Sequence, residues 1–123
     1  MEKILDAIMS GADSATIGAL SIPDNYRAAH ILATEATMWE GVPSEKKDPR
    51  KSVHVGDVAT PELAPDEVYV AVMASSINFN TVWSSIFEPV STFGPMKRLS
   101  RESEWAKRHD QPYQVIGSDA SGV

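Results

Sequence analysis

From residue 68 to 77 the chain reads Val-Tyr-Val-Ala-Val-Met-Ala-Ser-Ser-Ile, which puts Val68, Val70, Val72 and Ala74 on one face of a strand and Tyr69, Ala71, Met73 and Ile77 on the other. Both faces are apolar, so the pattern predicts a strand buried on both sides. Just before it, Ala64-Pro65-Asp66-Glu67 has proline at the second position of a type I turn. That turn predicts a hairpin, with Val53-His54-Val55 and Val58 as the upstream partner strand. After Ile77 the alternation gives way to Asn78 and Asn80, and the apolar residues Val82, Trp83, Ile86 and Phe87 fit one face of a short helix. Two side-chain amides therefore stand where a buried strand hands over to a helix.

Elsewhere the periodicities are shorter. Ile4, Leu5, Ile8 and Met9 share a helical face over residues 3–10, with Gly11 as the stop. Two turns of helix do not persist alone in water, so this stripe needs a neighbour, in its own domain or on a sister subunit. Residues 14–25 read as a loop, and Tyr26-Arg27-Ala28-Ala29-His30-Ile31-Leu32 as a first strand. Residues 33–50 are polar and turn-rich and resemble an arm more than a core element, with Met38 and Trp39 anchoring it. Ser100 is placed to cap a helix over 101–109, with Glu102 and Glu104 near its positive end and Lys107, Arg108 and His109 near its negative end. Trp105 would be that helix's packing residue, and Glu104 and Arg108 an i, i+4 pair. Residues 114–117 form a last strand.

Composition narrows the class. A chain of 123 residues, 42% hydrophobic, can bury a core. It has no apolar run of about eighteen residues and its N-terminus lacks the basic start and apolar core of a signal peptide, so a soluble cytoplasmic protein without a membrane role is expected. The absence of cysteine excludes disulfides, thiolate zinc sites and a cysteine nucleophile. A net charge of −6 argues against a nucleic-acid partner. His30, His54 and His109 lie far apart in sequence and read as structural or surface residues, and Glu88 before Pro89 reads as an acid capping a turn, the alternative being a buried acid.

The string Glu-Val-Tyr-Val-Ala-Val-Met-Ala-Ser-Ser-Ile-Asn over 67–78 resembles the opening of the GroES-like catalytic domain of the medium-chain dehydrogenase/reductase superfamily. Asn78-Phe79-Asn80-Thr81-Val82-Trp83, then Ser85-Ile86-Phe87-Glu88-Pro89-Val90-Ser91-Thr92-Phe93, is more specific and resembles the crotonyl-CoA carboxylase/reductase family within it. Lys107-Arg108-His109-Asp110, Pro112-Tyr113, Ile116-Gly117-Ser118-Asp119 and Gly122-Val123 continue the likeness. It departs over 94–105, where Gly-Pro-Met-Lys-Arg-Leu-Ser-Arg-Glu-Ser-Glu-Trp replaces a more aromatic stretch.

The resemblance implies an α+β chain: an N-terminal helix, first strand and arm over 1–50, then the opening strands of a mostly antiparallel, barrel-like GroES-like domain over 51–123. The remaining barrel strands and a Rossmann-type domain that binds NADP would follow in sequence absent from this chain, and no glycine-rich phosphate loop occurs within it. Residues 1–123 are accordingly expected to be an N-terminal portion, inactive alone, whose partners are the C-terminal remainder of the enzyme, an acyl-CoA and carbon dioxide, in a homo-oligomer. The implied reaction is reduction of a 2-enoyl-CoA by NADPH with carboxylation to an alkylmalonyl-CoA.

Zinc-dependent relatives carry a metal-binding cysteine after this strand. Asn78 stands there instead, and a neutral amide is a poor zinc ligand, so no metal is expected. An amide NH2 can donate to a carbon dioxide oxygen, where a carboxylate would repel it and an amine could react with it. Asn78 is therefore the first catalytic candidate and Asn80 the second, the alternative for each being a strand-end or helix-capping role. Phe79, Trp83, Phe87 and Phe93 are candidates to wall the acyl pocket, the alternative being core packing. Lys46, Lys47, Arg50 and Lys51 could meet the CoA phosphates or form a solvated loop. Two other readings remain: a zinc-free enoyl-CoA or quinone reductase that does not carboxylate, and a non-enzymatic GroES-like binding module.

Overall fold

A computed structural model describes residues 2–123 and divides them between two packing units. The first takes the chain up to Arg27, Asp57–Ser75 and Asp119–Val123. Its amphipathic start forms helix α1 (Glu2–Met9), with Ile4 buried, and Gly11 closes it at a φ of 71°, a left-handed conformation that glycine adopts without a Cβ clash. Ile4, Leu5 and Ile8 share a groove of about 320 Å³ with Ala71, Val72 and Met73. The stripe is covered only in part, since Leu5 and Met9 remain 52% and 71% exposed. Helix α2 (Ser14–Gly18) follows, its end satisfied by Asp13, whose carboxylate accepts the Thr16 N–H at 2.7 Å.

The second unit takes Ala28–Gly56 and Ser76–Ser118. Strand β1 (Asn25–Leu32) lies between β2 (His54–Ala59) and β4 (Tyr113–Val115), and β1 pairs with β4 antiparallel, Ile31 opposite Gln114. Ile31 is wholly buried and packs with Trp39, Ile86 and Phe87, against which Ala36, Val42, Phe93 and Ile116 also lie. Helix α3 (Phe79–Ser85) leads straight into Ile86 and Phe87, and α4 (Phe93–Glu102) follows. The segment 33–53 is built of short 3-10 turns at Ala33–Glu35, Ser44–Lys46 and Pro49–Lys51, the last opened by Pro49 and capped by Asp48. No helix among the described residues is long and apolar enough to cross a membrane.

Several expectations need correction. The 68–77 segment is neither a full strand nor buried: only Val72–Ala74 is strand (β3), and Val68 and Ile77 are 78% and 83% exposed. Among the described residues its strand partner is the two-residue β5 (Ser121–Gly122), so little covers either apolar face. That pairing is close enough that a Cβ on Gly122 would stand 2.2 Å from the Ala71 carbonyl oxygen, which explains a glycine there. The turn at 64–67 does form, with the Glu67 N–H on the Ala64 carbonyl at 3.1 Å, but it joins no hairpin, because β2 pairs with β1 instead. Residues 14–25 are not all loop, since the Asp13 cap supports α2.

The expected 101–109 helix is also displaced. A helix runs from Phe93, with Pro95 tolerated in its first turn, to Glu102, where extended Ser103 breaks it. Ser100 is therefore interior rather than a cap, and its hydroxyl donates back to the Lys97 carbonyl at 2.8 Å. Trp105–His109 is a 3-10 segment in which Trp105 is 62% exposed, its ring 4.7 Å from that of His109, and Glu104 pairs with Lys107. The 33–50 stretch, read as an arm, supplies a core residue in Trp39, while Met38 is 37% exposed.

Ile31 is the test of this core. Ile31→Ala should cost about 2–5 kcal/mol in urea unfolding, whereas a loss under about 1 kcal/mol would contradict the packing.

Candidate functional site

Helix α3 begins at the Asn78 amide, which lies beyond the end of β3 in irregular chain. Asn78, extended at φ −123° and ψ 179°, caps it: Oδ1 accepts the Thr81 N–H at 3.1 Å, with Thr81 Oγ1 at 3.4 Å. Its Nδ2 donates to Ser118 Oγ at 3.0 Å. The capping role and the candidate catalytic role thus use opposite ends of one amide, acceptor inward and donor outward. Asn80 does not cap; it sits exposed in the first turn of α3.

The four candidate aromatics part company. Phe79 and Trp83, one turn apart on α3, are 77% and 48% exposed with ring centroids 6.0 Å apart. Phe87 is buried at 7% and faces Phe93 at 6.4 Å inside the core. One pair presents an apolar surface beside Asn78, and the other supports the helix from below. Phe87 also has a φ of 58°, a conformation rare for a residue with a side chain, and it sends the chain off in a new direction after α3.

The C-terminal end of α3 is tied by the turn-rich segment. The buried Ser52 hydroxyl donates to the Ser85 carbonyl, one of those a helix end leaves unpaired. Glu88, read from sequence as a turn-capping acid, accepts from Lys47 Nζ and Ser44 Oγ, each at 2.6 Å, with the Lys47 side chain 11% exposed. First the Lys47 bond and then the Ser44 bond hold the Glu88 carboxyl below the usual carboxylate range. Lys47 is thereby committed to an ion pair, and Arg50 is held bidentately by Asp48 at 2.9 Å. The basic run is not a single exposed patch.

The sheet brings together residues whose spacing gave no signal. His30 and His54 face each other at 5.9 Å across β1 and β2, with Tyr113 of β4 edge-on to His30 at 5.9 Å, and His54 Nε2 lies 2.8 Å from Glu35. Only strand order, unknown from one sequence, could have revealed this group. No set of three or more His, Cys, Asp or Glu among the described residues could hold a metal ion.

No protein-family model matches the chain. Over its whole length it is 56% identical to a crotonyl-CoA reductase of Streptomyces avermitilis and 52% identical to one of Streptomyces collinus. It spans 28% of the length of each of these relatives. Its homologues are thus crotonyl-CoA reductases, to whose N-terminal portion the chain corresponds. Among solved structures it superposes on the 2-octenoyl-CoA carboxylase reductase CinF from a Streptomyces species, apo, with a TM-score of 0.89 at 56% identity over 98% of this chain and 28% of that one. The same protein in complex with NADP and 2-octenoyl-CoA gives 0.90 over 98% and 26%.

The Glu88 ion pair predicts a pH dependence. Its contribution is complete where the unfolded carboxyl is ionised and is lost as pH falls through the lowered folded pKa. Glu88→Gln should lower the melting temperature at neutral pH, and the gap should close below about pH 4. A gap that stays constant from neutral to about pH 3 in thermal scans would show that the pair adds nothing through its charge.

Proposed function

We propose that this chain is part of an NADPH-dependent carboxylase/reductase that converts a 2-enoyl-CoA to an alkylmalonyl-CoA. Its 51–123 portion would open a GroES-like catalytic domain, and residues 1–50 would form its N-terminal helix, first strand and arm. The observation that carries the reading is the placement of Asn78: capped inward, donating outward, beside exposed Phe79 and Trp83. The identity to crotonyl-CoA reductases and the likeness to CinF support it.

In this reading NADPH supplies the hydride that adds at Cβ of the enoyl thioester. Negative charge then rests on Cα and the thioester oxygen, and Cα forms its new bond to carbon dioxide; protonation at Cα instead gives the simply reduced acyl-CoA. In this reading the nucleotide would be bound mainly by the remainder of the enzyme. The work of this chain is to hold carbon dioxide by the Asn78 amide NH2, a neutral donor that neither repels nor reacts with it, and to shield that place from water with the Phe79 and Trp83 rings. The exposed apolar face of 68–77 would be covered by further strands of the same barrel, and the enzyme would act as a cytoplasmic homo-oligomer.

The test is NADPH oxidation by the full-length enzyme with crotonyl-CoA or 2-octenoyl-CoA, with and without bicarbonate. Bicarbonate should turn the product into the alkylmalonyl-CoA, and a bicarbonate-independent, simply reduced product would mark a non-carboxylating reductase. Asn78→Asp keeps the Oδ1 cap but removes the NH2 donor, so carboxylated product should fall roughly 10²- to 10³-fold with folding intact. Asn78→Ala should add a capping loss of about 1 kcal/mol. An unchanged ratio of carboxylated to reduced product at limiting bicarbonate removes Asn78 from the site.

A further inference from the structure

The Asn78 amide cannot be reversed. Its Oδ1 lies on the Thr81 N–H, a group that can only donate, so turning the amide over would set donor against donor. The NH2 end must therefore face away from α3, where the structure gives it Ser118 Oγ at 3.0 Å. The backbone, not chance rotamers, brings Ser118 there. Strand β4 is fixed against β1 by the pairing of His30 with Val115, and the Ile116 N–H continues that pairing onto the Ala29 carbonyl at 3.1 Å. Gly117 then turns at a φ of 111°, which a residue with a Cβ rarely adopts, and Ser118 comes out beside the Asn78 amide.

We infer that Ser118 is a positioning residue for the Asn78 amide, its hydroxyl oxygen holding the NH2 group in the plane from which it meets carbon dioxide. This rests on the reading of Asn78 given above. The cap fixes one end of the amide, and the Ser118 bond fixes the other. Donor direction matters here because carbon dioxide has no net dipole and offers a single weakly accepting oxygen at each end, so an amide aimed elsewhere gains nothing from it. Ser118 acts through Asn78 and need not touch the reacting carbon. It also links two elements distant in sequence, the β4 sheet edge and the start of α3, so the aim of the amide is referred to the sheet.

The experiment compares Ser118→Ala, Ser118→Thr and Asn78→Asp in the full-length enzyme, reading the ratio of carboxylated to simply reduced acyl-CoA at limiting bicarbonate. Ser118 is exposed, so alanine leaves no cavity, and a general loss of folded enzyme would lower both products in proportion without moving their ratio. One neutral hydrogen bond is modest, so Ser118→Ala should lower the ratio about fivefold, and Ser118→Thr, which keeps the hydroxyl, should restore most of it. An unmoved ratio in Ser118→Ala, or a Ser118→Thr enzyme as impaired as Ser118→Ala, overturns the inference. If Asn78→Asp moves the ratio and Ser118→Ala does not, Ser118 falls and the reading of Asn78 stands; if neither moves it, both fall.

Discussion

Everything at the candidate site depends on how the far end of a two-turn helix is gripped. Seven residues of α3 cannot hold a helix in water, and the outward face of this one is spent on exposed Phe79 and Trp83. What fixes it is the packing of Ile86 and Phe87, the residues just past its end, against Ile31 of β1 and Trp39 of the turn-rich segment. Ser52 adds a bond to the Ser85 carbonyl in the same buried place. The amide at the other end inherits its position from this core, which explains how a side chain on a short helix can be aimed at all.

The polar segment 33–53 looks dispensable by composition, yet it does much of this gripping. Trp39 is its hydrophobic contribution, Ser52 its hydrogen-bond contribution, and Lys47 with Ser44 its hold on Glu88. The 3-10 turns allow this because each places a few side chains inward without the length a helix would need. Charge is consumed locally in the process: Lys47 and Arg50 are each matched by a carboxylate.

Local signals were legible where local chemistry decides. The helical stripe at Ile4, Leu5 and Ile8 with Gly11 as its stop, the strand through Ile31 and the short helix that follows Asn78 all follow from spacing and capping, and each is present. What failed were statements about partners. The turn after Pro65 formed, but nothing in residues 53–58 says that their strand will choose β1 over the segment following that turn. The apolar run 68–77 predicts a strand covered on both faces, and the described residues provide little such cover. The helix over 93–102 was missed because Pro95 reads as a breaker unless its place in the first turn is known, and Ser100 mimics a cap while serving inside. At the site, the two amides were visible from sequence, but the division of the aromatics between surface and core, and the meeting of His30 with His54, needed the sheet order.

Phe87 carries a consequence for how this segment can change over generations. Its backbone, at a φ of 58°, favours glycine or asparagine, while its ring fills the core beside Ile31 and Trp39. A residue that relaxes the main chain empties the interior, and a branched aliphatic that refills the interior sharpens the backbone conflict. The position is caught between two demands that no single amino acid meets, so drift there must be accompanied by a change in its neighbours. The corner that ends α3 is thus a point where the sequence moves in concert or not at all.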